Sequence, residues 1–312
     1  MCTAIHLKVQ ALFGRTLDLE HSFGESLCLM PRGFTLRLRC EPCLKTRFSV
    51  LGTAKVTEGF PLFFDAVNEK GLSVAGLNFP KSAKYYEQKE GALNLTSFEL
   101  IPYILGQCEN LREAPYYLDK LNILSNPFSK ELPASPLHWM VADKEGAVVI
   151  ESTDRGLNLY SNPIGVMTNE PPFHYHMTYL ENFSNLSPFE KGSRYSRGLS
   201  AFGLPGDFSS SSRFVKGAYL VKNFPCGKAL PTDLFRLLET LSVPKGAVIL
   251  ENGKEVLTRY TACMDLNTAT YYLKTYGNSR ICAVNAKDFE GSKLIRFHQS
   301  TQEDILFLKN TF

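Results

Sequence analysis

Apolar and polar residues alternate in short runs along most of the chain, and this alternation is typical of half-buried β-strands. Residues 3–7 and 12–15 form two such runs near the start, with a turn between them. The run at 61–79 divides into two strands at the sequence NEKG (68–71), because asparagine and glycine favour tight turns. The beginning of the chain therefore predicts consecutive strands joined by turns.

Later segments repeat this pattern. The sequences LHWMVAD, AVVIEST and LNLYSN predict three strands in a meander, and residues 255–286 predict further antiparallel strands. Apolar residues at spacings of three and four predict helices over 97–124, starting near Ser97, and over 232–242. Strands and helices occur in blocks and do not alternate strictly, which favours a layered α+β architecture over a doubly wound sheet.

One segment lacks a periodic pattern. Residues 184–213 are rich in serine, glycine and proline, so they predict a long surface loop. Long loops in compact domains are often functional. We therefore expect part of a binding site there.

Composition narrows the class of protein. The chain has 312 residues, of which 44% are hydrophobic, enough for a sizeable core. A length of about 150 residues per domain suggests two domains, but layered domains can be larger, and we expect one domain spanning 1–312. The 34 basic and 31 acidic residues are nearly balanced, so a nucleic-acid partner is not expected.

Neither a membrane span nor a secretion signal is predicted. No run approaches the ~18 consecutive apolar residues of a membrane-spanning helix. The start, MCTAIHLKVQ, has no basic segment followed by an apolar core, as a signal peptide would. We therefore expect a cytoplasmic protein. In that compartment the eight cysteines, including the C-x-x-C pair Cys40 and Cys43, are expected to be structural thiols, with no metal site.

The cysteine in second position has a specific chemical meaning. By itself, Cys2 is more often just the first residue of a strand. If Met1 is removed, however, Cys2 carries both a thiol and a free α-amine. An α-amine, with a reference pKa of ~7.7–8.0, is suited to act as the base for a thiol near neutral pH. Such a site needs no histidine.

Several further segments occur together with this cysteine. They are the opening MCTAI followed by FGRTLDLEHSFGE (13–25), then AGLNFP (75–80), GVMTNEPPF (165–173), GLPGDFSSSSRFVK (203–216), and NGK and YYLKTYGNS near the end. In this order they resemble the choloylglycine hydrolase family, which holds bile salt hydrolases and penicillin V acylases. The resemblance runs from end to end. It implies a four-layer αββα sandwich of the N-terminal-nucleophile type.

The resemblance also implies a set of catalytic residues. Position by position, they fall on Cys2, Arg15, Asp18, Asn78, Asn169 and Arg213. The asparagines would donate hydrogen bonds to the oxyanion, Asp18 would hold the α-amine, and the arginines would supply positive charge. Without the resemblance, Arg15 and Asp18 could equally be a surface ion pair, and the two asparagines could be turn residues.

A substrate site is implied less directly. The acyl-pocket positions of bile salt hydrolases fall here on apolar residues: Leu17, Phe64, Phe128, Leu132 and Leu137. Each of them could instead be ordinary core. Ser196 and Arg197 resemble the S-R-x loop of family members that favour taurine conjugates, and an arginine suits a sulfonate. Arg197 could instead point into solvent.

The activity implied by the resemblance is hydrolysis of conjugated bile salts to a bile acid plus taurine or glycine, with no metal or organic cofactor. Penicillin V acylase, or another N-acyl amide acylase, is the alternative within the family. A non-catalytic bile-salt-binding module is the alternative from another class. The family resemblance further implies a homo-oligomer, with a tetramer as the expected assembly, although the segment 185–195 is shorter than in many relatives.

Overall fold

The alternating segments form two stacked β-sheets with helices on both outer faces. The computed structural model describes residues 1–190, 197, 199–287, 289–300 and 302–309. In chain order the strands are β1 (Cys2–Leu7), β2 (Leu12–Leu19), β3 (Ser26–Met30), β4 (Thr35–Leu36), β5 (Leu44–Lys45), β6 (Val50–Thr57), β7 (Phe60–Asn68), β8 (Ser73–Asn78), β9 (Leu93–Thr96), β10 (Leu121–Leu124), β11 (Leu137–Asp143), β12 (Gly146–Thr153), β13 (Gly156–Ser161), β14 (Val166–Met167), β15 (Val248–Ile249), β16 (Glu255–Asp265), β17 (Thr270–Thr275), β18 (Asn278–Asn285) and β19 (Ile295–Phe297).

The helices are shorter and fewer than the strands. They are α1 (Leu100–Gln107), α2 (Ala114–Leu118), α3 (Phe173–Leu180), α4 (Ser210–Lys222) and α5 (Pro231–Glu239), with 3₁₀ turns at Glu181–Phe183 and Leu199–Ala201. None of the helices in the described ranges is long and apolar enough to cross a membrane.

Each of the two large sheets is antiparallel throughout. The first sheet has the order β14-β1-β2-β16-β17-β18, with β15 attached to β16. The second has the order β13-β12-β11-β8-β7-β6-β3-β19. Helices α4 and α5 pack on the first sheet and α1 packs on the second, while β1 and β17 of the first sheet contact β8 and β7 of the second. These four layers are the αββα sandwich that the resemblance implied.

The space between the two sheets is filled by apolar side chains from both. Ala4 and Phe13 of the first sheet and Leu29 and Met140 of the second are all fully buried in one cluster. A second cluster lies under α1, on the outer face of the second sheet. Residues of β7 and β8 alternate between the two clusters, because successive side chains of a strand point to opposite faces.

Most of the predicted strands are confirmed, including the meander β11-β12-β13 and the turn at 68–71. The predicted helix over 97–124 is wrong at both ends. Helix α1 begins at Leu100 with Glu99, not Ser97, at its N-terminal cap, and residues 121–124 form strand β10, which pairs in parallel with β9. The periodicity of a short apolar run such as 121–124 fits a helix or a strand equally well. Pairing with β9 and burial in the second cluster make this run a strand.

The predicted loop over 184–213 is also too long. Helix α4 begins at Ser210, and the hydroxyl of Ser209 accepts a hydrogen bond from the main-chain N–H of Ser212. The serine run therefore caps and starts a helix, because serine side chains satisfy the unpaired N–H groups of a first turn. The helix predicted over 232–242 is confirmed as α5.

The turn at 68–71 offers a test of the fold. Gly71 has a φ of +90°, and a Cβ there would lie 1.9 Å from the carbonyl oxygen of Leu266. Gly59 also has a positive φ, of +73°, but its Cβ would meet nothing within 4 Å. We expect Gly59→Ala to lower the free energy of unfolding by about 1–2 kcal/mol through backbone strain alone.

For Gly71→Ala we expect the same strain plus at least about 2 kcal/mol from the collision. Urea denaturation of both variants measures the difference. Equal losses in the two variants would mean that the close approach to Leu266 does not constrain this turn.

Candidate active site

The antiparallel pairing of β1 with β2 places the candidate nucleophile. Cys2 is the first residue of β1 and lies directly opposite Leu17, while Arg15 lies opposite Ala4. Directly opposite residues share a face of the sheet, and so do residues two apart on one strand. The side chains of Cys2 and Arg15 therefore lie on the same face, which is the one that meets the second sheet.

Met1 extends the pairing of β1 with β2 by one residue. Its N-terminal nitrogen donates to the carbonyl oxygen of Asp18 at 2.7 Å, and the N–H of Asp18 donates to the carbonyl oxygen of Met1 at 3.0 Å. Cys2 is only 2% exposed. Loss of Met1 would turn the nitrogen of Cys2 into an α-amine.

The side chain of Asn169 connects three parts of the site. Its Oδ1 accepts from the main-chain nitrogen of Cys2 and from Nη2 of Arg213, both at 2.8 Å. Its Nδ2 donates to the carbonyl oxygen of Asn78 at 2.7 Å. The structure thus joins Asn169 to Cys2 through its oxygen and to the end of β8 through its nitrogen.

A set of buried polar groups holds the main chain around Asn169. The hydroxyl of Ser210 accepts from its N–H at 2.8 Å, and Nε2 of His176 lies 3.0 Å from its carbonyl oxygen. Burial lowers the pKa of His176 to about 4, so its ring is neutral at pH 7. A neutral ring with a proton on Nε2 donates to that carbonyl.

A buried histidine and glutamate support the same segment from the second sheet. Nε2 of His138 lies 2.8 Å from the carbonyl oxygen of Thr168, and its Nδ1 lies 3.0 Å from Glu151. The ring of His138 also stacks on Phe79, with 4.2 Å between the ring centroids. Because Phe79 follows Asn78, one histidine contacts the neighbours of both asparagines.

Arg213 approaches Cys2 from the side of the helices. It lies in the first turn of α4, and its Nη1 donates to the carbonyl oxygen of Cys2 and to the hydroxyl of Thr3. Burial lowers the pKa of Arg213, while the charges of Asp18 and Cys2 oppose this effect. The guanidinium is therefore a buried positive charge close to the thiol.

Arg15 is the second buried arginine next to Cys2. Its Nη1 donates to Asp65 of β7 at 3.1 Å and its Nε to the carbonyl oxygen of Thr16 at 3.0 Å. Burial opposes its charge, but the ionisable side chains of Tyr260, Cys2 and Asp65 outweigh burial and raise the pKa of Arg15 above its usual value.

Asp18 lies at the other end of the cluster. Its carboxylate accepts from the hydroxyl of Thr258 at 2.6 Å and from that of Thr16 at 3.1 Å. Its main chain, rather than its carboxylate, contacts the N-terminal residue while Met1 is present. The structure therefore brings all six predicted catalytic positions together at the start of β1. Asn78 contacts the others through its main-chain carbonyl oxygen, which accepts from Asn169.

The five predicted pocket residues fall into two groups. Leu17 lies opposite Cys2, Leu137 lies opposite Asn78, and Phe64 packs against the cluster between the sheets. Phe128 and Leu132 belong to a turn between β10 and β11 and pack on the cluster beneath α1. The first group therefore lies beside predicted catalytic positions: Leu17 shares β2 with Arg15, and the carbonyl oxygen of Phe64 accepts from Nη1 of Arg15. The second group lies in a separate loop.

The predicted leaving-group residues lie in the segment that follows Pro188. Ser196 is outside the described residues. Arg197 is described and exposed, and it takes part in a polar interaction. Within the described ranges, no group of three or more histidine, cysteine or acidic side chains could hold a metal ion.

Sequence reasoning missed the polar residues that surround the predicted set. They are Asp65, Glu151, His138, His176, Ser210 and Thr258. Only Asp65 carried a signal in the sequence, as a charge inside the apolar strand FFDAV. Burying a charge there requires a partner, and Arg15 is that partner.

The four-layer fold places Cys2 at the start of a strand, next to Asn169, Asp18 and two buried arginines. This arrangement defines an N-terminal-nucleophile amide hydrolase. Comparison with known proteins is consistent with that class. A family model described as linear amide C–N hydrolases of the choloylglycine hydrolase family matches residues 2–295.

Individual relatives cover nearly the whole chain. A bile salt hydrolase/transferase of Lactiplantibacillus plantarum is 39% identical over 95% of this chain and 96% of its own length. One of Clostridium perfringens is 34% identical over 94% and 95%. The chain therefore belongs to the choloylglycine hydrolase family and is a linear amide C–N hydrolase.

Solved structures match the fold as well. The C2A mutant of the conjugated bile acid hydrolase from Clostridium perfringens superposes with a TM-score of 0.90 at 32% identity, covering 99% of this chain and all of that one. The penicillin V acylase of Agrobacterium tumefaciens superposes with a TM-score of 0.77 at 18% identity, covering 95% and 90%, which shows a shared fold.

The neutral histidine beneath Asn169 predicts acid sensitivity. Because burial lowers the pKa of His176 from 6.5 to about 4, the unfolded chain binds a proton between these pH values and the folded chain does not. Stability is therefore complete above pH 6.5 and is lost as the pH falls. This one histidine should account for about 2 kcal/mol of the loss between pH 7 and pH 5.

His176→Gln should make the loss of unfolding free energy from pH 7 to pH 5 smaller by that amount, as measured by urea denaturation at both pH values. His21→Gln is the control, because that side chain is 49% exposed. If His176→Gln keeps the wild-type dependence on pH, the buried neutral state of His176 is wrong.

Proposed function

We propose that this chain hydrolyses the amide bond of taurine- and glycine-conjugated bile salts, with Cys2 as the nucleophile after removal of Met1. The observation that carries the proposal is the contact of the Cys2 nitrogen with Oδ1 of Asn169, beside two buried arginines and Asp18. With Met1 gone, one residue there supplies both the nucleophile and its base.

Acylation proceeds through a tetrahedral intermediate. The α-amine of Cys2 takes the thiol proton, and the sulfur adds to the amide carbonyl. Asn169, through the second hydrogen of its Nδ2, and Asn78, through its side-chain amide, donate to the oxyanion. Collapse breaks the C–N bond, and the proton held by the α-amine passes to the departing nitrogen of taurine or glycine.

Deacylation returns the enzyme to its starting state. A water molecule adds to the thioester carbonyl while the α-amine accepts its proton. The second tetrahedral intermediate collapses to the free bile acid, and the proton returns to the sulfur. No metal or organic cofactor takes part in either half of this sequence.

The charged residues position the reacting groups. In this proposal Arg15 and Arg213 stabilise the thiolate and the charge that develops on the carbonyl oxygen. Asp18 orients the α-amine: its main-chain carbonyl oxygen, which Met1 occupies in the structure, becomes available to the amine when Met1 is removed. The shared partner of the Cys2 nitrogen and of Arg213 is Asn169, so these groups are aligned by one side chain.

The substrate class is supported by the relatives and by the apolar positions near Cys2. Relatives named as bile salt hydrolase/transferase match almost the whole chain. Leu17 lies opposite Cys2, Leu137 lies opposite Asn78, and the carbonyl oxygen of Phe64 accepts from Nη1 of Arg15. A steroid needs apolar contacts of the kind that these side chains offer. The assignment of Phe128 and Leu132 to the pocket, and of Ser196 and Arg197 to a taurine sulfonate, stays a prediction.

Three broader features are proposed together with this activity. Residues 1–312 form one domain, which is supported by the pairing of β19, near the end of the chain, with β3. The protein is cytoplasmic and forms a homo-oligomer, most simply a tetramer as in its family. The alternative substrate is penicillin V, because the choloylglycine hydrolase family also holds penicillin V acylases.

Parallel assays test the function. Protein whose mass shows loss of Met1 should release taurine from taurocholate and glycine from glycocholate faster than it cleaves penicillin V. Cys2→Ser should fold and lose nearly all activity, because a hydroxyl is a much poorer nucleophile than a thiol at neutral pH. Iodoacetamide should label Cys2 as it inactivates the wild type. Preferred cleavage of penicillin V would select the alternative substrate, and an active Cys2→Ser protein would reject the mechanism.

A pair of substitutions tests the two ends of the Asn169 side chain. Asn169→Ala should lower kcat by on the order of 10²-fold, because it removes an oxyanion donor. Asn169→Asp keeps an acceptor for Cys2 and Arg213 but lacks the N–H donor, so it should lose kcat at least as severely. If Asn169→Asp retains activity, the residue acts by holding the α-amine and not by binding the oxyanion. A rise in KM alone would assign both ends to substrate binding.

A further inference from the structure

A buried carboxylate lies behind Arg15, on the opposite sheet. Asp65 is in the middle of β7 and is fully buried. One of its oxygens accepts from Nη1 of Arg15 and from the hydroxyl of Tyr260, and the other accepts from the hydroxyl of Tyr271. The hydroxyl of Tyr271 also shares a hydrogen bond with Thr53. The carboxylate, which belongs to the second sheet, is thus held by donors from three strands of the first sheet.

The same contacts leave one nitrogen of the Arg15 guanidinium, Nη2, without a hydrogen bond to any described residue. Nε of Arg15 donates to the carbonyl oxygen of Thr16, and Nη1 donates to Asp65 and to the carbonyl oxygen of Phe64. Nη2 is buried and has no hydrogen-bond partner among the described residues. A buried donor normally has a partner, so an unpaired one in a fully buried guanidinium indicates a ligand or a reacting group.

Cys2 is the group that this donor can serve. Arg15 is two positions from Leu17, the direct neighbour of Cys2, on the same face of the sheet. Such diagonal neighbours lie within reach of a long side chain. The charges of Arg15 and Cys2 also interact. The guanidinium of Arg15 is therefore held at Nη1 by Asp65, while its Nη2 is available to donate to the thiolate or to the substrate carbonyl.

We infer that Asp65 is a positioning residue for hydrolysis, because it fixes the Nη1 edge of Arg15 so that Nη2 serves the reaction at Cys2. Asp65 also supplies the negative charge that balances this guanidinium. Without it, the thiolate of Cys2 becomes the nearest replacement counter-ion on that face. The inference rests on the proposed function, since it assigns a role in the same site.

The other charged or titratable groups near this pair come from four elements. Asp18 lies on β2 and is bound by two threonine hydroxyls, and Arg213 reaches Cys2 from α4. Tyr260 and Tyr271 lie on β16 and β17, and burial raises the pKa of each well above its usual value, so both stay protonated donors to Asp65. Asp65 is therefore the carboxylate that contacts Arg15 directly, while Asp18 interacts with Arg213.

The test compares Asp65→Asn with Glu69→Gln in Met1-free protein. Glu69 is a matched control: it is a buried carboxylate that binds Arg32, and it lies four residues further along the chain, just beyond the end of β7. Steady-state hydrolysis of taurocholate gives kcat and KM. The rate of iodoacetamide labelling of Cys2, followed by mass spectrometry from pH 5 to pH 9, reports the thiol without any substrate.

For Asp65→Asn we expect kcat to fall about 10- to 100-fold with KM changed less than threefold, because the apolar contacts to the steroid are not altered. The pH midpoint of Cys2 labelling should move to lower pH, because the thiolate now balances Arg15. Glu69→Gln should lower thermal stability and keep kcat and the midpoint. A wild-type midpoint in Asp65→Asn, or equal losses of kcat in both variants, would overturn the inference.

A second comparison stays available even if Asp65→Asn does not fold. Arg15→Gln and the pair Arg15→Gln/Asp65→Asn both lack the guanidinium, and the pair also lacks the unbalanced carboxylate. If Asp65 acts only through Arg15, the two proteins should have the same kcat within about twofold. A further loss in the pair would show that Asp65 acts by another route. Wild-type protein that is labelled at Cys2 but does not cleave conjugates would reject the proposed substrate and leave the labelling comparison intact.

Discussion

The antiparallel pairing of β1 with β2 is the constraint on which the rest of the site depends. It fixes Cys2 opposite Leu17 and sets Arg15 on the same face, two residues away. A shift of one residue would send Arg15 and Leu17 to the other face of the sheet, because side chains alternate along a strand. The nucleophile and its arginine would then be separated by the sheet itself.

Two buried arginines reach Cys2 from opposite faces of this sheet, and each is matched by a different group. Arg15 meets Asp65 from the second sheet, while Arg213 meets Oδ1 of Asn169 and the carbonyl oxygen of Cys2 from the helix side. A buried guanidinium without partners would be strongly destabilising, so each arginine also ties together the elements that supply its partners. Structure and proposed chemistry therefore depend on the same contacts.

Met1 extends the β1–β2 ladder by one pair, through two hydrogen bonds with the main chain of Asp18. Its removal frees the N–H and the carbonyl oxygen of Asp18 beside the new α-amine. In the proposed function, this removal creates the base at Cys2, while the remaining pairs of β1 with β2 keep the register.

The sequence determined the layered α+β class and most strands, because alternation is carried by neighbouring residues. Its motifs, through the family resemblance, named six candidate catalytic positions. It failed where a short apolar run suited either element: residues 121–124 became a strand only because β9 lies alongside them. It also gave no reason to connect Asp65 with Arg15 or Ser210 with Asn169. Those contacts join residues distant in the chain, and only the stacking of the two sheets and the docking of helix α4 bring them together.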